Sequence, residues 1–136
     1  MRIYEINEKL EENLKKDFPD IMFKVDNEML MYKEFLSRVF LEEKKTTIRY
    51  KKGFLRYPSS RHLPLFETSQ DDKEMKRIKG TITLETITIK TISELTDEDA
   101  KIDGFKSKEE LLEVLKKIYG GIGKEELVSI YYIGQL

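Results

Sequence analysis

The stretch IKGTITLETITIKTI, residues 78–92, decides how the chain is read. Apolar side chains at Ile82, Leu84, Ile87 and Ile89 are separated by Thr and Glu. A period near two sends one set of side chains to a core and the other away from it, so these residues predict strand. The expectation is one long bent strand, or two strands, with a bulge near Glu85-Thr86.

Toward the C-terminus, Thr96 is a good N-cap, and Asp97, Glu98 and Asp99 favour the positive end of a short helix that Gly104 closes. Ser107-Lys108-Glu109-Glu110 has capping-box spacing and opens a second helix. Leu111, Leu112, Leu115 and Ile118 form its apolar face, and Gly120-Gly121 end it. Residues 127–133 read as an apolar closing strand. Toward the N-terminus, residues 69–76 are polar and predict an exposed loop. Strands are expected at 63–68, 54–57 and 45–50, with a loop at Pro58-Ser59-Ser60 and a turn at Lys51-Lys52-Gly53. A helix is expected over 27–43, with Asn27 as N-cap and a stripe of Leu30, Phe35, Leu36, Val39 and Phe40. Before it come a short strand at 21–25 and a helix through Ile3, Ile6, Leu10, Leu14 and Phe18 that stops before Pro19. Short, irregularly spaced strands without crossover helices predict an α+β domain around a small, mostly antiparallel β-barrel or curled sheet.

The chain has 136 residues, 39% apolar and 38% charged, enough for one core. With no cysteine, disulfides, zinc-thiolate sites and cysteine nucleophiles are excluded. His62 is the single histidine, so no transition-metal site and no cofactor is expected, and His62 reads as a surface loop residue. No signal peptide or membrane span is legible, and a cytoplasmic protein is expected.

Charge is unevenly spread. Between residues 44 and 66 lie seven basic residues, Lys44, Lys45, Arg49, Lys51, Lys52, Arg56 and Arg61, and no acid. The rest of the chain carries −8 against this +7, which together make the net −1. Tyr50, Phe54, Tyr57 and Phe66 are interleaved with the cations. Basic groups neutralise phosphates and aromatic faces stack on unpaired bases, a combination suited to single-stranded RNA. A solvated strand edge kept soluble by lysines has the same composition.

Two stretches resemble the ASCH-domain family. In Lys44-Lys45-Thr46-Thr47-Ile48-Arg49, Lys44, Thr47 and Arg49 fall on the Lys, Glu/Thr and Arg of the family signature, and Glu42 stands at its Gly position. The second runs from Ile92 through Leu95-Thr96-Asp97-Glu98-Asp99-Ala100 to Gly104-Phe105, then Glu109-Glu110-Leu111 and Ile118-Tyr119-Gly120. The resemblance covers about residues 28–133. It implies a PUA-like (ASCH) small β-barrel with flanking helices over 28–136, with residues 1–27 packed on it as an N-terminal helix and lead-in strand. It also implies an association with RNA. Small members similar to this chain are amidohydrolases that deacetylate N4-acetylcytidine with a Lys, a Thr and a carboxylate; the matching positions are Lys44, Thr47 and Asp103, the last usually Glu.

Two functions follow as expectations. One is an RNA- or nucleotide-binding module using Lys45, Arg49, Lys51, Lys52, Arg56, Tyr57 and Arg61. The other is an amidohydrolase acting on an acylated nucleoside through Lys44, Thr47 and Asp103; a ribonuclease is a third reading the family implies. Lysine serves as a base only if its pKa falls below about 10.4, which burial and nearby cations favour and an adjacent Asp103 opposes. Thr47 is then either nucleophile or orienter of water. Strand alternation puts Lys45, Thr47 and Arg49 on one face and so favours Lys45 as the site lysine, whereas the resemblance implies Lys44, which is then expected at the start of the strand, outside regular pairing.

Overall fold

The computed structural model describes residues 2–72 and 74–135. The elements run β1 (Arg2–Glu5), α1 (Leu10–Asp17), β2 (Met22–Asp26), β3 (Met29–Tyr32), α2 (Lys33–Phe40), β4 (Thr46–Arg49), β5 (Phe54–Pro58) and β6 (His62–Thr68). Then follow β7 (Arg77–Thr91), a 3-10 turn (Ile92–Glu94), α3 (Asp97–Ile102), α4 (Lys108–Tyr119) and β8 (Leu127–Gln135). No helix among the described residues is long and apolar enough to cross a membrane.

β7 organises the sheet. Its first half pairs with β6, its second half pairs with β8, and residues 86–89 also take β1 on the other edge. The bulge expected at Glu85-Thr86 is present: Leu84 lies opposite Ile133 and Ile87 opposite Tyr131, so two residues face one and the strand bends. The resulting sheet, in the order β3-β6-β7-β8-β4 with β1 against β7, is a strongly curled mixed half-barrel. β3 runs parallel to β6, and β2 and β5 form a separate parallel pair. Ser129 Oγ of β8 ties that pair to the sheet by donating to the Arg56 carbonyl at 2.5 Å.

The apolar run in β8 has a plain cause: both of its faces are covered. Tyr131 belongs to the core inside the curl, with Leu14, Leu55, Leu63, Leu84 and Ile87. Val128 and Ile130 belong to a second core under α3 and α4, with Leu95, Ala100, Phe105 and Leu111.

Two helix expectations are corrected. The first helix begins only at Leu10, because residues 2–5 fill the open edge of β7 beside residues 86–89. Tyr4 and Ile6 turn inward while Ile3 is 61% exposed, a period of two within a segment whose spacing also fits a helix. The second helix begins at Lys33, and Asn27 does not cap it; Tyr32 stands at the N-cap in extended conformation. Residues 29–32 pair with β6, which buries Met29 and Met31 on one face. Strand pairing satisfies a row of backbone groups at once, and it overrides weak local helix preference.

Candidate active site

Two helix ends built alike deliver the central pair of side chains. After α2, the Glu42 amide donates to the Val39 carbonyl and the Glu43 amide to the Arg38 carbonyl. After α3, the Gly104 amide donates to Lys101 and the Phe105 amide to Ala100. Both are Schellman turns, whose first residue past the cap takes a left-handed conformation. Gly104 does so at φ 92° and Glu42 at φ 61°, the single non-glycine positive φ among the described residues. The turns lie against each other. The Lys45 amide donates to the Ile102 carbonyl at 2.8 Å, and Arg38 Nη1 donates to the Gly104 carbonyl at 3.1 Å. A Cβ on Gly104 would sit 3.3 Å from both the Glu43 carbonyl oxygen and Lys44 Cβ, so glycine permits the close approach as well as the turn.

Lys44 and Asp103 follow from this packing. Lys44 Nζ lies 2.9 Å from Asp103 Oδ1 and donates to the Asp103 carbonyl at 3.3 Å. Thr46 Oγ1 donates to the same Oδ1 at 2.8 Å. Both charged side chains are about 95% enclosed. Burial pushes the Lys44 amine down from its ordinary pKa, helped by the positive Arg49 and Arg38 and opposed by Asp103. Burial likewise pushes the Asp103 carboxyl up, opposed mainly by Lys44. The Phe35 and Phe105 ring centroids stand 5.7 and 5.8 Å from Lys44 Nζ and help exclude water from it.

The pair opens on a cavity of about 540 Å³, within the roughly 300–1,000 Å³ of ordinary ligand pockets. Its lining divides by chemistry. Lys44, Thr47, Arg49 and Asp103 supply one polar group, and Phe35, Phe105, Val114 and Ile118 supply apolar surface. Asp26 and Arg56 supply a second polar group: Arg56 Nη2 lies 2.6 Å from Asp26 Oδ1, and its Nε donates to Oδ2 at 3.1 Å. Tyr131 also donates to Asp26 Oδ2, at 2.6 Å. Burial and Asp26 hold the Tyr131 phenol well above its ordinary pKa, so it remains a donor. Arg49 is within electrostatic reach of both groups: its charge adds to the lowering of the Lys44 pKa and weakly opposes the rise that burial imposes on Asp103 and Tyr131. Its Nε donates to Thr47 Oγ1 at 3.1 Å, leaving the threonine proton free for another acceptor.

Lys44 precedes the first paired residue of β4, Thr46, in line with its expected place outside regular pairing. Lys44, Thr47, Arg49, Arg56 and Asp103 converge on the cavity. Lys45, Lys51, Lys52 and Arg61 do not; they are exposed away from its lining. Tyr57 is 6% exposed and belongs to the core, where its ring meets that of Phe23 edge-on at 5.9 Å between centroids. Tyr50 is buried too and bonds Glu126. The basic window is therefore not one continuous face, because acids from outside it, Asp26 and Asp103, pair with two of its cations. Sequence reasoning missed Asp26, Tyr131, Thr46 and Arg38. Thr46 had a signal, since alternation places it on the Lys44 side of the strand. Asp26 and Tyr131 had none, being 105 positions apart and joined only by the fold. No family model, curated protein or solved structure matches the chain.

Proposed function

We propose that the chain is an ASCH-type domain with a PUA-like barrel whose cavity binds a nucleoside and hydrolyses an acylamide on it, as in N4-acetylcytidine. The enclosed Lys44 amine with its lowered pKa, sharing a cavity with Thr47, carries this reading. The left-handed Glu42 supports it, because the position corresponds to the glycine of the ASCH signature. In the reaction the neutral Lys44 amine takes the proton from the attacking O–H, either of Thr47 or of a water it orients. A C–O bond forms at the acyl carbon, the C–N bond breaks, and the proton passes to the departing amine. Asp103 aims the lysine amine, and Arg49 holds the Thr47 oxygen. Water is the net co-reactant, and the products are a carboxylic acid and the free exocyclic amine.

Incubation of the protein with N4-acetylcytidine should release cytidine. Lys44→Ala and Thr47→Ala should each cut the rate by roughly 100-fold or more. A folded wild-type protein that releases no cytidine would remove the hydrolase reading.

A second reading, a module that binds single-stranded RNA, draws on the exposed Lys51 and Lys52 at the β4–β5 turn, with Lys51 Nζ 5.0 Å from the Phe54 ring centroid. It requires an affinity that falls with salt and falls further in Lys51→Ala/Lys52→Ala. Unchanged affinity in that double variant would exclude the turn from RNA contact.

A further inference from the structure

Most of the charge around the cavity is already compensated. Lys44 pairs with Asp103, Arg56 with Asp26, and Lys76 with the lining residue Glu28. Two cations of the lining, Arg49 and Lys24, have no ion-pair partner among the described residues. The Arg49 guanidinium uses Nε on Thr47 and keeps its two Nη groups for another acceptor. Lys24 stands opposite Arg56 in the parallel β2–β5 register, and Asp26, two residues along, shares their face. Asp26 is already taken by Arg56 in a two-point contact and by Tyr131. Lys24, which is exposed, thus has no carboxylate of its own and keeps its charge for an anion supplied from outside.

We propose that Arg49 and Lys24 form an anion subsite of the cavity, and that its ligand is a nucleotide bearing a phosphate monoester in place of an uncharged nucleoside. This rests on the nucleoside-pocket reading above and names the form of ligand the pocket takes. A phosphate monoester carries a charge of about −1.5 to −2 and three acceptor oxygens at neutral pH. The planar fork of Arg49 suits two of those oxygens, and Lys24 adds a mobile point charge. Tyr32, Phe35 and Tyr119, also in the lining, offer aromatic surface to the base. The phosphate oxygens replace no existing salt bridge, so Asp26–Arg56 and Lys44–Asp103 stay intact on binding.

The test is calorimetric titration of the full chain with cytidine, cytidine 5′-monophosphate and inorganic phosphate, at low and high salt. At low salt the monophosphate should bind about tenfold tighter than cytidine or better. That advantage should shrink as salt rises. Inorganic phosphate should compete with the monophosphate and not with cytidine. Lys24→Gln and Arg49→Gln should each reduce the ratio of the two affinities, while Lys116→Gln, on the exposed side of α4, should preserve it. Equal affinities for cytidine and its monophosphate would overturn the anion subsite and leave the nucleoside pocket standing. A folded protein that binds neither would overturn both.

Discussion

The charge on Lys44 is set by neighbours that oppose one another. Burial, Arg49 and Arg38 favour the neutral amine, and Asp103 favours the ammonium. Only the neutral amine accepts a proton, so kcat/KM on N4-acetylcytidine should rise with pH through a pKa below the ordinary lysine value of about 10.4. Asp103→Asn removes the group that holds the proton on, which moves this limb to lower pH. Arg49→Gln removes a cation that drives the proton off, which moves it to higher pH. A limb that stays in place in both variants would take Lys44 out of the chemistry. Glu42 poses a separate question of conformation. A side chain in the left-handed region costs about 1–2 kcal/mol, and glycine escapes that cost but gains freedom in the unfolded chain. Glu42→Gly should therefore stabilise the protein by about 0.5–1 kcal/mol, read as a Tm a few degrees higher. A lower Tm would mean that the Glu42 side chain stabilises the turn.

At the scale of elements, the site depends on two helix ends locked together. Gly104→Ala places a Cβ against the Glu43 carbonyl and Lys44 in a backbone conformation that alanine resists. It should cost more than about 1 kcal/mol in urea denaturation, and cytidine release should fall with it, because the turn that carries Asp103 must shift. Full activity in Gly104→Ala would show that the ion pair tolerates that shift. The other end of α3 is held differently. Asp99 Oδ2 accepts from the Thr96 amide, completing the capping box, and lies 2.6 Å from Lys90 Nζ of β7. Both side chains of this pair are 9% exposed. Lys90→Ala should destabilise by about 3–5 kcal/mol, since it strands a buried carboxylate. A loss under about 1 kcal/mol would mean that the cap alone satisfies Asp99. These local caps were legible from residue type and spacing: Thr96, Ser107 and Gly120 all stand where expected. The start of α2 was not, because Met29 to Tyr32 obey the demand of β6 for a partner, and β6 lies 30 residues further on.

At the scale of the whole molecule, the N-terminal segment belongs to the same core as the rest. Tyr4, Ile6, Leu10 and Leu14 pack with Leu55, Leu84 and Tyr131, and β1 covers an edge of β7. Removal of residues 1–17 should abolish the cooperative thermal transition, because four buried side chains are each worth roughly 1.5–3 kcal/mol against a total of about 5–15. A truncated chain that still melts cooperatively would make the segment an accessory. Leu14→Ala, at 0% exposure, is the milder version and should cost about 2–5 kcal/mol.

The sequence by itself determined what depends on neighbours along the chain. Alternation in residues 78–92 specified strand, bent or broken near Glu85-Thr86, and Thr96 and Ser107 specified helix starts. Tertiary structure decided what depends on neighbours through space. Which cations of the basic window are neutralised was set by Asp26 and Asp103, from segments before and after it. Whether residues 2–5 and 29–32 became strand was set by open edges on β7 and β6. Burial of Lys44, which lowers the pKa of its amine, arose when two helix ends about 60 residues apart closed on each other. Backbone conformation has a local energy readable from residue type, whereas desolvation and pairing of charge are energies of proximity that exist only once the chain has folded.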